Sequence, residues 1–260
     1  MKRNNVCEFT LMILFLFIAL FAECAPRATR TPGEHANDAM IMMGAQNGDA
    51  DMIRNAASGG GNVNVRDQVG GTPLHYAVGR GHIAAVKALI EHGARTDVVE
   101  RNGASPLYLA ATTGNREAAQ ILLKAGAPVD QSRPNGWTPL MSACFEGHLN
   151  VVEILIKFRA SSRGRDRNGN TVLMAAAARG HDDIIRLLLR KGLSGRETNR
   201  YNRTALMDAS QNGRASTVKL LISIGVDTNV RAASGRSALD MARQAGKDEI
   251  VKILKKAGAL

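Results

Sequence analysis

Few residues in this sequence could carry chemistry: six histidines, three cysteines and adjacent acids such as Asp182-Asp183. A metal or catalytic set needs several such groups on one surface, as a His-Glu-x-x-His segment or paired cysteine spacings provide. The sequence has neither. His82, His148 and His181 instead each follow a glycine and share one phase of a 33-residue interval, so a repeating pattern explains where they stand. Asp182-Asp183 falls in the first turn of an expected helix, where carboxylates are favoured by the helix dipole. Cys144 occupies a position that Val78, Ala111, Ala177 and Ser210 hold elsewhere, which points to a small buried side chain rather than a nucleophile. Gly59-Gly60-Gly61 lacks the following Lys-Ser or Lys-Thr of a phosphate loop, so it is expected to be a loop with positive φ. No catalytic residue, cofactor, metal or small-molecule substrate is expected.

The elements that position these residues follow one clock. Leu74, Leu107, Leu140, Leu173, Leu206 and Leu239 are each 33 residues apart, and each follows by two places a Thr or Ser from Thr72 to Ser237. Glycines keep the same time, from Gly48 through Gly81, Gly114, Gly147, Gly180 and Gly213 to Gly246. Two markers in phase mean a tandem array of one structural unit. In each unit the Thr or Ser can cap a short helix, and the glycine suits that helix's C-terminus. A second helix follows, with aliphatic pairs such as Val151-Val152 and Leu155-Ile156. Helices of about ten residues are marginal alone in water, so stacking must stabilise them. Ahead of each Thr or Ser lies a turn with Gly70, Gly103, Gly136, Gly169, Asn202 and Gly235 in register.

The hexapeptide Thr72-Pro73-Leu74-His75-Tyr76-Ala77, with degenerate copies at Ser105-Pro106-Leu107 and Thr138-Pro139-Leu140, resembles the ankyrin repeat in motif and period. The resemblance covers about residues 37 to 260. It implies an all-α, ankyrin-repeat solenoid of stacked helix-turn-helix units with short β-turn fingers. Two departures stand out. The histidine position reads His75, Tyr108, Met141, Met174, Met207 and Asp240, so the Thr-to-His hydrogen bonding of the family is expected in unit two alone. The glycine after the second helix is replaced by Arg159 in unit four, where a frayed or shifted loop is expected.

The N-terminus differs in kind. Lys2 and Arg3 precede an apolar run from Phe9 to Ala22, and Ala22-Glu23-Cys24 supplies small residues at a cleavage position. This reads as a secretory signal peptide, the run being shorter than the roughly 20 residues of a spanning helix. Cleavage after Cys24 or after Ala22 both stay open, as does lipidation of Cys24. Residues 1–24 are thus assigned to a signal peptide, 25–36 to a flexible tether, and 37–260 to a repeat domain of about seven units with the first and last as caps. The chain is expected to be exported, periplasmic or secreted, and monomeric, without a transmembrane helix in the mature form.

In proteins of this resemblance, partners dock on the concave face built from finger tips and first helices. Those positions bring Trp137, Phe145, Arg167, Arg179, Arg200, Tyr201 and Arg203 to units four to six. Aromatic residues and arginine are the types in which binding hot spots are enriched. Two readings of the aromatics stay open: a partner anchor, or packing of Trp137 along Ala104 and Asn170 with Phe145 closing the groove between helices. Charge adds direction. Residues 25–132 carry ten basic and ten acidic side chains, whereas residues 133–260 carry twenty-two and eleven, a net charge of +11. Such a one-sided field steers acidic ligands toward the later units. The expected function is a non-catalytic module that binds an acidic protein partner. The alternative is a basic adhesion module for an anionic polymer, a membrane surface or nucleic acid, the last fitting the sign but not the expected compartment.

Overall fold

The computed structural model describes residues 32–260. The expected signal peptide and residues 25–31 of the expected tether lie outside them. Among the described residues there are fourteen helices, paired in order along the chain. Unit one holds α1 (Pro32–Asn47) and α2 (Ala50–Ser58), unit two α3 (Pro73–Gly79) and α4 (Ile83–Glu91), and unit three α5 (Pro106–Thr113) and α6 (Arg116–Lys124). Unit four holds α7 (Pro139–Glu146) and α8 (Leu149–Lys157), and unit five α9 (Val172–Arg179) and α10 (Asp182–Arg190). Unit six has α11 (Ala205–Gln211) and α12 (Ala215–Ser223), and unit seven α13 (Ala238–Gln244) and α14 (Asp248–Lys256). The first helix begins at Pro32, so residues 32–36, assigned above to the tether, form the opening turn of α1.

Short first helices hold together because their ends are capped. The hydroxyls of Ser105, Thr138, Thr171, Thr204 and Ser237 each accept the backbone N–H three residues on. In unit two the Thr72 N–H donates to His75 Nδ1 at 3.1 Å, which leaves Nε2 to donate across to the Ala104 carbonyl at 3.2 Å. Burial pulls the His75 pKa down, in keeping with a neutral ring. Thr-to-His bonding is found in unit two, but unit seven does not rely on packing alone: Asp240 accepts from the Ser237 N–H and hydroxyl at 3.0 and 2.9 Å. A short carboxylate reaches the same N–H as an imidazole does, which residue names alone do not reveal.

Stacking uses two buried rows. Every leucine of the 33-residue series is at most 2% exposed, and Ala77, Ala110, Ala143, Ala176, Ala209 and Ala242 are fully buried. The alanine methyl lets adjacent first helices approach closely, while the leucine fills the space toward the second helices. Cys144 is buried and free, and burial pushes its thiol pKa up, so no nucleophilic thiolate forms near neutral pH. Of the three adjacent glycines, Gly60 has positive φ, whereas Gly61 is required by contact: a Cβ there would meet Ile41 and the Ala56 carbonyl under 3.0 Å.

The loop of unit four is not shifted. Arg159 adopts φ +66° and makes the same two backbone hydrogen bonds as its glycine counterparts: its own N–H donates to Ile156 O, and that of Ala160 to Leu155 O. Gly93 and Ala94 do this with Ile90 and Leu89 in unit two. The helix-ending geometry therefore overrides the side chain, and arginine sits in a left-handed conformation that costs an L-residue roughly 1–2 kcal/mol.

Candidate functional site

Each finger closes on itself, the residue at its start donating its N–H to the carbonyl four places on, as Asp166 does to Asn170 at 3.1 Å. Neighbouring fingers are then tied by one backbone bond apiece: Arg101 N to Val69 O, Arg167 N to Asn135 O, Arg200 N to Asn168 O and Ala233 N to Tyr201 O, at 2.8–2.9 Å. The series skips between units three and four, because Pro134 has no N–H. The Arg133 Nε donates to the orphaned Asn102 carbonyl instead, at 3.2 Å. A furrow of about 520 Å³ lies there, lined by Arg133, Pro134, Gly136 and Arg167 among others.

Three sequence-predicted residues form one stack. The Trp137 and Phe145 rings meet edge to face, with centroids 5.2 Å apart and an interplanar angle of 77°. From α9 of the next unit, the Arg179 guanidinium lies 4.3 Å from the Phe145 ring centre. A cation over an aromatic face contributes about 0.5–1 kcal/mol at exposed sites. Trp137 Nε1 donates to Asp166 Oδ2 at 3.2 Å, so the indole is oriented by a carboxylate as well as by packing. Asp166 also accepts the N–H groups of Asn168 and Asn170, both at 2.8 Å, which fixes the finger beneath it.

Phe145 is shared with a second feature, a groove of about 300 Å³ whose walls include Met174, Ala175, Ala178, Asn170, Asn199, Tyr201, Arg203 and Asp208. Tyr201 is 54% exposed at the finger tip of unit six. Arg203 is not a free cation. Its Nη2 donates to Asp208 Oδ1 at 2.5 Å and to Gln211 Oε1 at 2.7 Å. Burial pushes the Asp208 pKa up, against the opposing pull of Arg203. Arg167 opens onto the furrow beside Pro134 rather than into this groove. Arg200 lies along the finger of unit five, its Cγ 3.1 Å from where a Cβ on Gly169 would stand. The structure thus joins Trp137, Phe145 and Arg179, and separately Phe145, Tyr201 and Arg203, while Arg167 stands apart.

Asp208 was missed by reading charged residues singly. The row Tyr76, Leu109, Ser142, Ala175, Asp208 and Met241 holds one carboxylate, and that contrast was the available signal. The histidines have a defined structural task. Nε2 of His82, His148 and His181 reaches the carbonyl of Gln46, Thr112 and Phe145 in the preceding unit, at 3.2, 3.0 and 2.9 Å. Each ring also packs under the helix-ending glycine of that unit, where a Cβ would come within 3.0 Å of it. Among the described residues no group of three or more His, Cys, Asp or Glu side chains could hold a metal.

Stacked helix pairs, finger turns and a histidine lock between units all return with one period, and the family description "Ankyrin repeats (3 copies)" matches residues 41–133, 125–200 and 191–259. The chain belongs to the ankyrin-repeat family. The crystal structure of the human ASB11 ankyrin repeat domain is similar to it, with a TM-score of 0.75 and 27% identity, over 86% of this chain and 98% of that one. In all, 616 solved chains match, so the fold by itself does not single out a task. No curated protein matches the chain. Ankyrin repeats are in general protein-interaction modules. Among the described residues no helix is long and apolar enough to cross a membrane.

Proposed function

We propose that this ankyrin-repeat chain is an exported, non-catalytic and monomeric interaction module that binds an acidic partner protein on the face made by its fingers and first helices in units four to six. The observation that carries this reading is the Trp137–Phe145–Arg179 stack beside the groove of Phe145, Met174 and Tyr201. A preformed aromatic wall loses little freedom on binding, and an apolar side chain of the partner entering the groove would leave water there. Arg179 and Arg200, both exposed, supply the positive rim that selects an acidic surface.

The test is capture of partners by the mature chain beside Trp137→Ala and Tyr201→Ala variants. Loss of a central aromatic anchor weakens such binding by about 2 kcal/mol or more, roughly thirtyfold. Recovery of the same partners in the same amounts by both variants would place the binding surface elsewhere. Export is checked separately, by the N-terminal residue of the protein collected outside the cytoplasm, with Ala25 or Glu23 expected.

A further inference from the structure

We infer that the edge of units four and five formed by the ends of their second helices is a second binding surface, one for a linear polyanion. Lys157, Arg159 and Arg163 lie at the end of α8 and in the loop after it, and Arg190, Lys191 and Arg196 at the end of α10 and in its loop. All six are exposed, and none forms an ion pair among the described residues. Lys157 and Arg190 are 33 residues apart, as are Arg163 and Arg196, so the cations form rows that run along the stack. Within residues 158–165 and 191–198 Glu197 is the one carboxylate.

Three of these arginines sit where the scaffold favours another residue. Arg159 holds φ +66° at a position that is glycine, with φ from 74° to 88°, in units two, three, five, six and seven. At three of the other four positions in the row of Arg163 and Arg196 the side chain accepts from the next unit's backbone, Asp97 pairing with Arg95 instead because Pro128 has no N–H to offer. Asn64 Oδ1 takes the N–H of Arg95 at 2.7 Å, Asp130 Oδ1 that of Ser161 at 3.0 Å, and Asn229 Oδ1 that of Leu260 at 2.8 Å. Arginine has no acceptor to offer, so units four and five forgo this bond. Local rules broken together on one surface point to a task there rather than to the fold.

The chemistry indicates the ligand. Among the described residues the exposed large apolar side chains, Met40, Met43, Val69, Tyr201 and Leu260, all lie outside this edge, so they offer it neither an anchor for a protein hot spot nor an apolar group to enter a bilayer. Charge repeated along a line matches a chain with one anionic group per residue, held through counterion release.

The experiment measures binding of a fluorescein-labelled oligothymidylate to the chain across a salt series. The variant Arg159→Gly/Arg163→Asn/Arg196→Asn restores the residue types of the other units. It is expected to melt at the same or a higher temperature, to bind at least about tenfold more weakly, and to lower the salt slope by about 2, at roughly 0.7 per phosphate contact. The finger variant Arg167→Glu/Arg200→Glu is expected to bind within about twofold of the parent, which separates this surface from the proposed protein-binding face. A sulfated polysaccharide is expected to displace the probe. Equal binding by the triple variant and the parent overturns the inference. So does an equal loss in the finger variant, or binding to anionic vesicles without binding to the oligonucleotide.

Discussion

Units two and three and units four and five are made from the same parts and present different surfaces. In both pairs the leucine and alanine rows are buried, the first helices are capped by a hydroxyl residue, and the helix-ending glycine has positive φ. Outside those rows they diverge. Asp97 is engaged by Arg95 at 2.8 Å and Asp130 by the Ser161 N–H, whereas Arg163 and Arg196 stand at the same register unpaired. The aromatic stack of Trp137 and Phe145 likewise belongs to unit four. In a one-dimensional stack each unit is answerable to its neighbours through a few contacts, so the remaining positions can change sign or size without disturbing the next unit.

If the scaffold is common to both pairs, a lesion in it costs the same in each. Gly114→Ala in unit three and Gly147→Ala in unit four would each set a Cβ against a histidine ring, His148 or His181, at positive φ. Left-handed strain of about 1–2 kcal/mol joins the loss of the histidine bond, about 0.5–1.5 kcal/mol, so each variant is expected to lose about 2–3 kcal/mol in urea unfolding. A difference of more than about 1 kcal/mol between the two would show that the lock is not equivalent along the stack.

A smaller effect comes from exchanging what differs. Arg159→Gly relieves the left-handed arginine and is expected to stabilise unit four by about 1 kcal/mol. The reciprocal Gly126→Arg meets open space at φ +83°, so it is expected to destabilise unit three by a similar amount through backbone strain alone. Thermal unfolding of the two variants and their combination checks both signs. Two stabilising or two destabilising outcomes would mean that the loops differ in more than the residue at that position.

Period, helix order and buried rows were legible in the sequence because each leans on markers repeated six or seven times. Arg159 was misread for an instructive reason. The absence of glycine predicts reluctance, but the backbone bonds to Ile156 and Leu155 decide the conformation. At the candidate site, finger and first-helix positions put Trp137 and Phe145 on one unit and Arg179 at the end of the next unit's first helix, and in the structure the three meet. They also brought Arg203 to the groove of Phe145 and Tyr201, but did not show that its charge is already engaged, nor that Arg167 faces a furrow of its own. Arg167 keeps its place in the finger row, its N–H bonded to Asn135 O, and lines the furrow beside Pro134, while the Arg203 charge is engaged by a carboxylate five residues on in its own unit. Backbone interruptions and local ion pairs lie outside what a row of residue names records.

That ion pair also separates neighbouring units by their response to pH. Unit five has Ala175 where unit six has Asp208, so the carboxylate in the groove wall belongs to unit six. Burial raises the Asp208 pKa in the fold, with Arg203 opposing it, so the protonated form is favoured by folding relative to the unfolded chain. The stabilisation linked to this group is then fully present below the ordinary aspartate pKa and is lost as pH rises through the folded value. Asp208→Asn is expected to remove that contribution to the pH dependence of unfolding, while Ala175→Ser is expected to leave it in place. Carboxyl titration followed by NMR is the direct measurement. A midpoint for Asp208 at or below the ordinary aspartate value would mean that the Arg203 pair outweighs burial, and that unit six gains rather than loses stability as the carboxylate ionises.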